Sequence, residues 1–291
     1  MQTLHRYMLS AQISGFRPYS YLHSSESPFN AYMKIVTTAQ ALPVANEIPR
    51  ILESDDHLAW VWKPNHFLVH RTDMAMHDML NLKDWILETT GWSFAQPINR
   101  LDRPTSGLVL VARDVDALKM VSEQFAQHAV AKTYLAIVRG WTEDEGVIEK
   151  PLPTSHNNTP KEAITTYKTM GRAELPLAIT RYETSRFSLV ECTPQTGRFH
   201  QIRLHLKHLK HPIIGDTAHG DKPHNRYFAH HLNQPYLLLH SGELTLKHPH
   251  TALEKTVQAP LPDHWKQTLD QLGWSDSFST FGSSDSTQSG S

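Results

Sequence analysis

An α+β fold is what the sequence predicts, and three observations carry it. Period-two apolar runs such as Phe187–Cys192 stand among helical-period segments such as Leu118, Val121 and Phe125, so both element types are present. They follow no regular strand–helix alternation, which separates the chain from doubly wound folds. The 291 residues are 39% hydrophobic and 20% charged, enough apolar material for one large core or two modest ones.

Taken in order, residues 1–45 show neither period and read as a flexible N-terminal extension. Ile51–Ser54 and Leu58–Trp62 are predicted as strands joined by the turn Asp55–His57, with Lys63 and His70 bordering the loop that follows. A helix over Met79–Leu87 should end at Gly91, and a strand is expected over Leu108–Ala112. Asp114 or Asp116 caps a helix running to about Val130; Lys132–Val138 is a strand closed by Gly140. Residues 151–160 form an exposed loop. Strands are expected over Ala163–Met170, Pro176–Tyr182, Phe187–Cys192 and Leu237–Leu246. Helices are expected over His200–Leu209, with Ile202, Leu206 and Leu209 as the apolar stripe, and over Pro262–Leu272. The folded unit should span 46–275, and the Ser-rich tail 276–291 has no core-forming pattern.

Composition narrows the function. No apolar run reaches the ~18 residues of a membrane span, and nothing near Met1 reads as a secretory signal. A lone Cys192 excludes an internal disulfide and suits a reducing compartment, so a cytoplasmic address is expected. The net charge of −1 argues against a strongly basic nucleic-acid binder. Charge is uneven, however: Arg181–His250 holds nine Lys/Arg against five Asp/Glu and eleven of the twenty histidines, a local basic face.

Three clusters compete as the site. In Asn99-Arg100-Leu101-Asp102-Arg103-Pro104-Thr105-Ser106-Gly107 a carboxylate stands between two arginines on a turn stiffened by Pro104 and loosened by Gly107. It reads either as a surface ion pair or as a nucleophile steered by a remote arginine, Arg198 or Arg203. No second carboxylate partners it in a motif, against a paired-acid glycosidase. His200, His205, His208 and His211 lack the spacing of a metal site, and no metal is expected. Ser106 and Cys192 lack the surroundings of a nucleophile. No Walker or G-x-G-x-x-G loop points to a nucleotide cofactor.

Asn99–Gly107 resembles the HRLDxxTSG signature of the large pseudouridine synthase family that modifies ribosomal and transfer RNA. Lys63-Pro64 to Leu68-Val69-His70, Lys132–Val138, Thr196–His205 and His211–Asp216 resemble further family motifs in the same order. The resemblance implies a mixed, mostly antiparallel sheet flanked by helices, no cofactor, and RNA as the partner, with no membrane and no obligate protein partner. Transfer RNA is implied by the closest branch, at a uridine near the junction of acceptor and T stems; ribosomal RNA, or RNA binding without turnover, are the alternatives. It further implies that Asp102 attacks the uridine, Tyr134 stacks on the extruded base and Arg203 pairs with the aspartate. Arg100 would fill the vacated space, with Arg103, Lys63, His70 and Arg198 contacting RNA. Asn99, Trp62 and His66 depart from the usual His, Asn and Gly.

Overall fold

A computed structural model describes residues 47–70, 81–153 and 159–274. The expected extension over 1–45 and tail over 276–291 lie outside these residues, as do Met79 and Leu80 of the first expected helix and residues 154–158 of the expected loop.

Ten strands form one sheet: β1 (Arg50–Ser54), β2 (Leu58–Lys63), β3 (Gln96–Pro97), β4 (Ser106–Ala112), β5 (Ala131–Arg139), β6 (Glu145–Glu149), β7 (Ile164–Leu175), β8 (Ser185–Pro194), β9 (Leu239–Lys247) and β10 (Glu254–Gln258). Their spatial order is β1-β2-β4-β9-β5-β8-β7-β6, with β10 on β9 and β3 on β4. Every pairing between named strands is antiparallel except a two-residue parallel contact between β4 and β9. The helices are α1 (Leu82–Thr90), α2 (Val115–Ala126), α3 (Gln201–His208), α4 (Lys222–His231) and α5 (Asp263–Gln271).

β2 and β4 are buried on both faces, and their alternating residues feed two cores. Leu58, Trp60, Trp62, Leu108 and Leu110 join Ala117 and Val121 of α2. Ala59, Val61, Val109 and Val111 face the other way and meet Leu82, Trp85 and Ile86 of α1. A third core unites β5, β8 and β9 with Ile202 and Leu206 of α3, Phe228 of α4 and Trp265 of α5. Each fully buried side chain of this size contributes roughly 1.5–3 kcal/mol.

Local chemistry sets the ends. Asn81 caps α1 through the Asp84 N–H, and Gly91 closes it in the left-handed region at φ 69°. Asp114 caps α2 by accepting from the Ala117 N–H. Pro176–Tyr182, expected as a strand, is instead bends and turns, because β7 runs on to Leu175 and pairs with β8 up to Ser185. Elements the sequence did not announce are those burying few side chains: Ile148 in β6, Val257 in β10, and His224 with Phe228 in α4.

The β4–β9 contact governs where the Asp102 turn sits. It pairs Ser106 with His240 and Gly107 with Ser241. Gly107 has φ 113°, and a Cβ there would lie 2.2 Å from the Ser241 carbonyl oxygen. Gly107→Ala is therefore expected to destabilise the fold by about 3 kcal/mol or more, combining backbone strain with overpacking. Urea unfolding of the variant measures this; a midpoint equal to that of the parent would show that the two strands tolerate separation.

Candidate active site

The segment entering β4 is braced before it turns. Asn99 is buried; its side-chain carbonyl accepts from the Leu110 N–H at 2.7 Å and its amide donates to the Leu108 carbonyl at 3.3 Å. Asparagine thus anchors the segment to β4 with both ends of its amide. Three residues on, the Thr105 N–H donates to the Asp102 carbonyl, closing the turn.

The loop after β2 holds the turn from below. Lys63 is fully buried, and its Nζ donates to the carbonyls of Pro64, Phe67 and Arg103 at 2.9, 2.9 and 3.2 Å. Asn65 Nδ2 donates to the Pro104 carbonyl at 2.6 Å. This corrects the expectation for Lys63: it is a brace inside the protein, not a contact for RNA. Burial lowers its pKa to about 7, with the Asp102 charge working the other way and Arg103 adding to the drop. His66 stands in the left-handed region at φ 64°, a conformation glycine adopts without strain, and its carbonyl accepts from Arg103 Nε.

Asp102 itself is 21% exposed at the side chain. Arg203 Nη1 donates to its Oδ2 at 2.9 Å, so the remote guanidinium is Arg203 of α3. Arg198 instead donates its Nε to the Glu162 carbonyl. Oδ1 of Asp102 carries no hydrogen bond among the described residues.

Arg203 holds a second carboxylate that the sequence reading missed. Its Nε and Nη2 donate to Oδ2 and Oδ1 of Asp216, each at 2.8 Å, a planar two-bond fork. Asp216 also accepts from the Ala218 and His219 N–H groups. Burial opposes both charges, yet the Arg203 bonds keep the Asp216 carboxyl below its ordinary range, and the two carboxylates keep the Arg203 guanidinium above its own. The readable signal lay in His211–Asp216, already singled out as a motif; what the sequence lacked was the fold that brings position 216 to Arg203.

Tyr134 completes the group. It lies on β5 opposite Ser241 of β9, where the register slips by one residue between Thr133 and Tyr134. Such a bulge re-aims a side chain. The ring packs against two of the three cores. Burial pushes the phenol up to about 12; the neighbouring Ser241 hydroxyl opposes this and the Asp102 charge adds to it. Around the rim, Arg100 and Arg103 are exposed, and His70 is half-buried with its pKa lowered by burial, Arg100 and Lys83. His200, considered in sequence as part of a histidine cluster and of the Thr196–His205 motif, places its Nε2 3.7 Å from Asp102 Oδ2.

Asp216 makes the cluster's acid sensitivity predictable. A carboxyl with a depressed folded pKa contributes stability above its unfolded value of ~3.9 and loses that contribution as pH falls through the folded value. Asp216→Asn is expected to cost about 3 kcal/mol at pH 7, since it leaves a buried guanidinium short of charge. The gap from the parent should close as pH drops below about 4. Urea midpoints measured from pH 7 downward check this, and a gap constant with pH would contradict it.

Comparison with known proteins bears on this arrangement. The RNA pseudouridylate synthase family profile matches residues 57–208. A protein of Vibrio cholerae named tRNA pseudouridine synthase C is 38% identical over 240 residues, 78% of this chain and 97% of that one. One of the same name from Pectobacterium carotovorum is 41% identical over 234 residues, 77% of this chain; this chain spans 62% of its length. Among solved structures, Human RNA Pseudouridylate Synthase Domain Containing 4 superposes with TM-score 0.61 at 21% identity, covering 84% of this chain and 98% of that one. Human RNA Pseudouridylate Synthase Domain Containing 1 does so with TM-score 0.57 at 23% identity, over 74% and 84%. By sequence match and by fold, then, the chain belongs to the RNA pseudouridylate synthase family.

Proposed function

We propose that the protein converts a uridine of transfer RNA to pseudouridine, near the junction of the acceptor and T stems, with residues 46–275 as the catalytic unit and the cytoplasm as its place of action. The tRNA substrate is supported by the names of the relatives. No described helix is long and apolar enough to cross a membrane. The observation that carries the chemistry is the Asp102 carboxylate, fixed through one oxygen by Arg203, with no hydrogen bond to the other among the described residues, and close enough for its charge to raise the Tyr134 phenol.

The reaction breaks the bond from N1 to C1′ and forms one from C5 to C1′. The proton at C5 leaves and N1 gains one, so atoms balance without an oxidant or reductant. A base inside a helix is out of reach until its nucleotide is extruded, at a cost of a few kcal/mol. Stacking on Tyr134 returns about 1–3 kcal/mol, and Arg100 occupies the vacated space. Asp102 Oδ1 is the attacking atom, with Arg203 holding the carboxylate in its attacking rotamer. Arg103, His70 and Arg198 meet the RNA around the rim, while Lys63 and Asn65 keep the turn from moving.

Incubation with transcribed tRNA, followed by nucleoside mass spectrometry, tests this. Asp102→Ala is expected to lower conversion by more than about 10³-fold while tRNA binding persists. Tyr134→Phe keeps the stacking face and should retain turnover. Tyr134→Ala should lose stacking worth about 1–3 kcal/mol. Binding without conversion by the parent protein would favour an RNA-binding role, conversion of ribosomal RNA alone would move the substrate, and release of free uracil would indicate a hydrolase.

A further inference from the structure

Resting on the pseudouridine synthase reading, we infer that His200 is the base that removes the proton from C5 once the uracil has rejoined its sugar through carbon. Three independent observations converge on this ring. The first is its place: Nε2 lies 3.7 Å from Asp102 Oδ2, beside the carboxylate that does the attacking. The second is its backbone. His200 caps the start of α3 at φ 54°, without making a side-chain cap bond. Non-glycine residues adopt that conformation uncommonly, and strained backbone positions gather at functional sites. The third is its support: Phe199 stacks on it at 3.7 Å, and His219 Nε2 lies 2.8 Å from its Nδ1.

Elimination points the same way. The Tyr134 phenol, at about 12, is a neutral donor and no acceptor of protons at neutral pH. Arg203 is a cation engaged with two carboxylates, and Asp216 is consumed by Arg203 and two backbone N–H groups. Lys63 is sealed beneath the turn on three carbonyls. His200 remains. Burial lowers its pKa, Arg203 and His219 add to that, and Asp102 and Asp216 oppose it. It is therefore neutral at pH 7, with an Nε2 lone pair available when its Nδ1 proton is donated to His219.

The step balances. After the C5–C1′ bond has formed, the C5–H bond breaks and its proton moves to His200 Nε2. The electron pair forms the C5–C6 double bond as the C6–N1 double-bond pair shifts onto N1; N1 takes a proton from water, and the imidazolium returns its proton to the hydroxide so formed. The imidazolium forms beside the Asp102 carboxylate, which by then has been released from the sugar and stabilises the new positive charge.

Single-turnover assays with tRNA carrying uridine or 5-deuterated uridine test the inference. His200→Asn suits the left-handed backbone. It is expected to slow conversion by about 10²-fold or more, with tRNA affinity kept. It should also enlarge the deuterium isotope effect at C5 and abolish the loss of rate on the acid side that protonation of His200 imposes on the parent. His219→Gln leaves the base in place but changes its partner, so the acid limb should shift. A His200→Asn rate close to the parent's overturns the inference. So does a slower rate with isotope effect and pH profile unchanged, which would mark a structural role. Should His200→Asn fail to fold, an unmoved acid limb in His219→Gln overturns it alone. Failure of the parent to convert any RNA uridine would instead overturn the underlying reading, for which Asp102→Ala is the blank.

Discussion

A single guanidinium shared by two carboxylates sets the geometry of the site. Arg203 is nearly enclosed, with a side chain only 4% exposed, and spends one nitrogen on Asp102 and two on Asp216. Removing either charge from water is costly, and only good geometry with further hydrogen bonds offsets that cost. Asp216 meets the condition with two backbone N–H donors besides the fork. Asp102 does not, and this asymmetry is the useful feature. Asp216 is saturated and structural, so Arg203 cannot swing; Asp102 is therefore aimed by a fixed partner and keeps one oxygen open. A lone Arg–Asp pair would aim neither side, because each flexible chain would follow the other.

What delivers these groups to one place is the centre of the sheet. Asp102 precedes β4, Tyr134 lies on β5, and β9 runs between the two strands. The parallel contact at Gly107 draws β4 against Ser241 of β9, and the slip in the β5–β9 register sets Tyr134 opposite that same Ser241. His240, fully buried on β9, meets the Ser106 hydroxyl at 2.9 Å and reinforces that junction. Burial lowers its pKa to about 4, so at neutral pH it acts as a neutral hydrogen-bonding spacer. Arg203 comes from α3, more than sixty residues after Tyr134, and reaches the site because Ile202 and Leu206 seat that helix on the third core.

Much of this was legible in the sequence, and the misses share a physical cause. Elements with a full apolar stripe or two buried faces, such as β2, β4, α2 and α3, were placed within a few residues. Those with few buried residues left no period to read: β6 shows only Ile148, β10 only Val257, and α4 only His224 and Phe228. Within the site, Asp102 and Arg203 could be named from their motifs, and the pairing between them is as expected. Lys63 was misread because a lysine's burial depends on acceptors the chain supplies only after folding: the carbonyl of Arg103 lies forty residues away. Asp216 escaped for the same reason. A carboxylate clamp is a property of two loops and a helix brought together, not of any window of residues. His66 is the exception: its departure from the usual glycine is readable in the sequence, and the position is left-handed at φ 64°.

The braces beneath the turn explain why so rigid a core stands so close to the open carboxylate. Lys63 and Asn65 follow directly from β2, and the Asp102 turn leads directly into β4. These neighbouring strands pair over six residues, from Leu58 with Ala112 to Lys63 with Gly107. Both are buried on each face, so side chains on either side of the pair resist sliding or tilting. A buried ammonium would destabilise a loosely packed loop, since a shift of one ångström would strip it of its carbonyls. Between two locked strands it instead transmits their rigidity to the turn. A misplacement of about 1 Å at a reacting group costs on the order of 10²-fold in rate. The double-sided core therefore does more than stabilise the protein: it fixes the floor on which an attacking oxygen can wait in one position for a nucleotide to arrive.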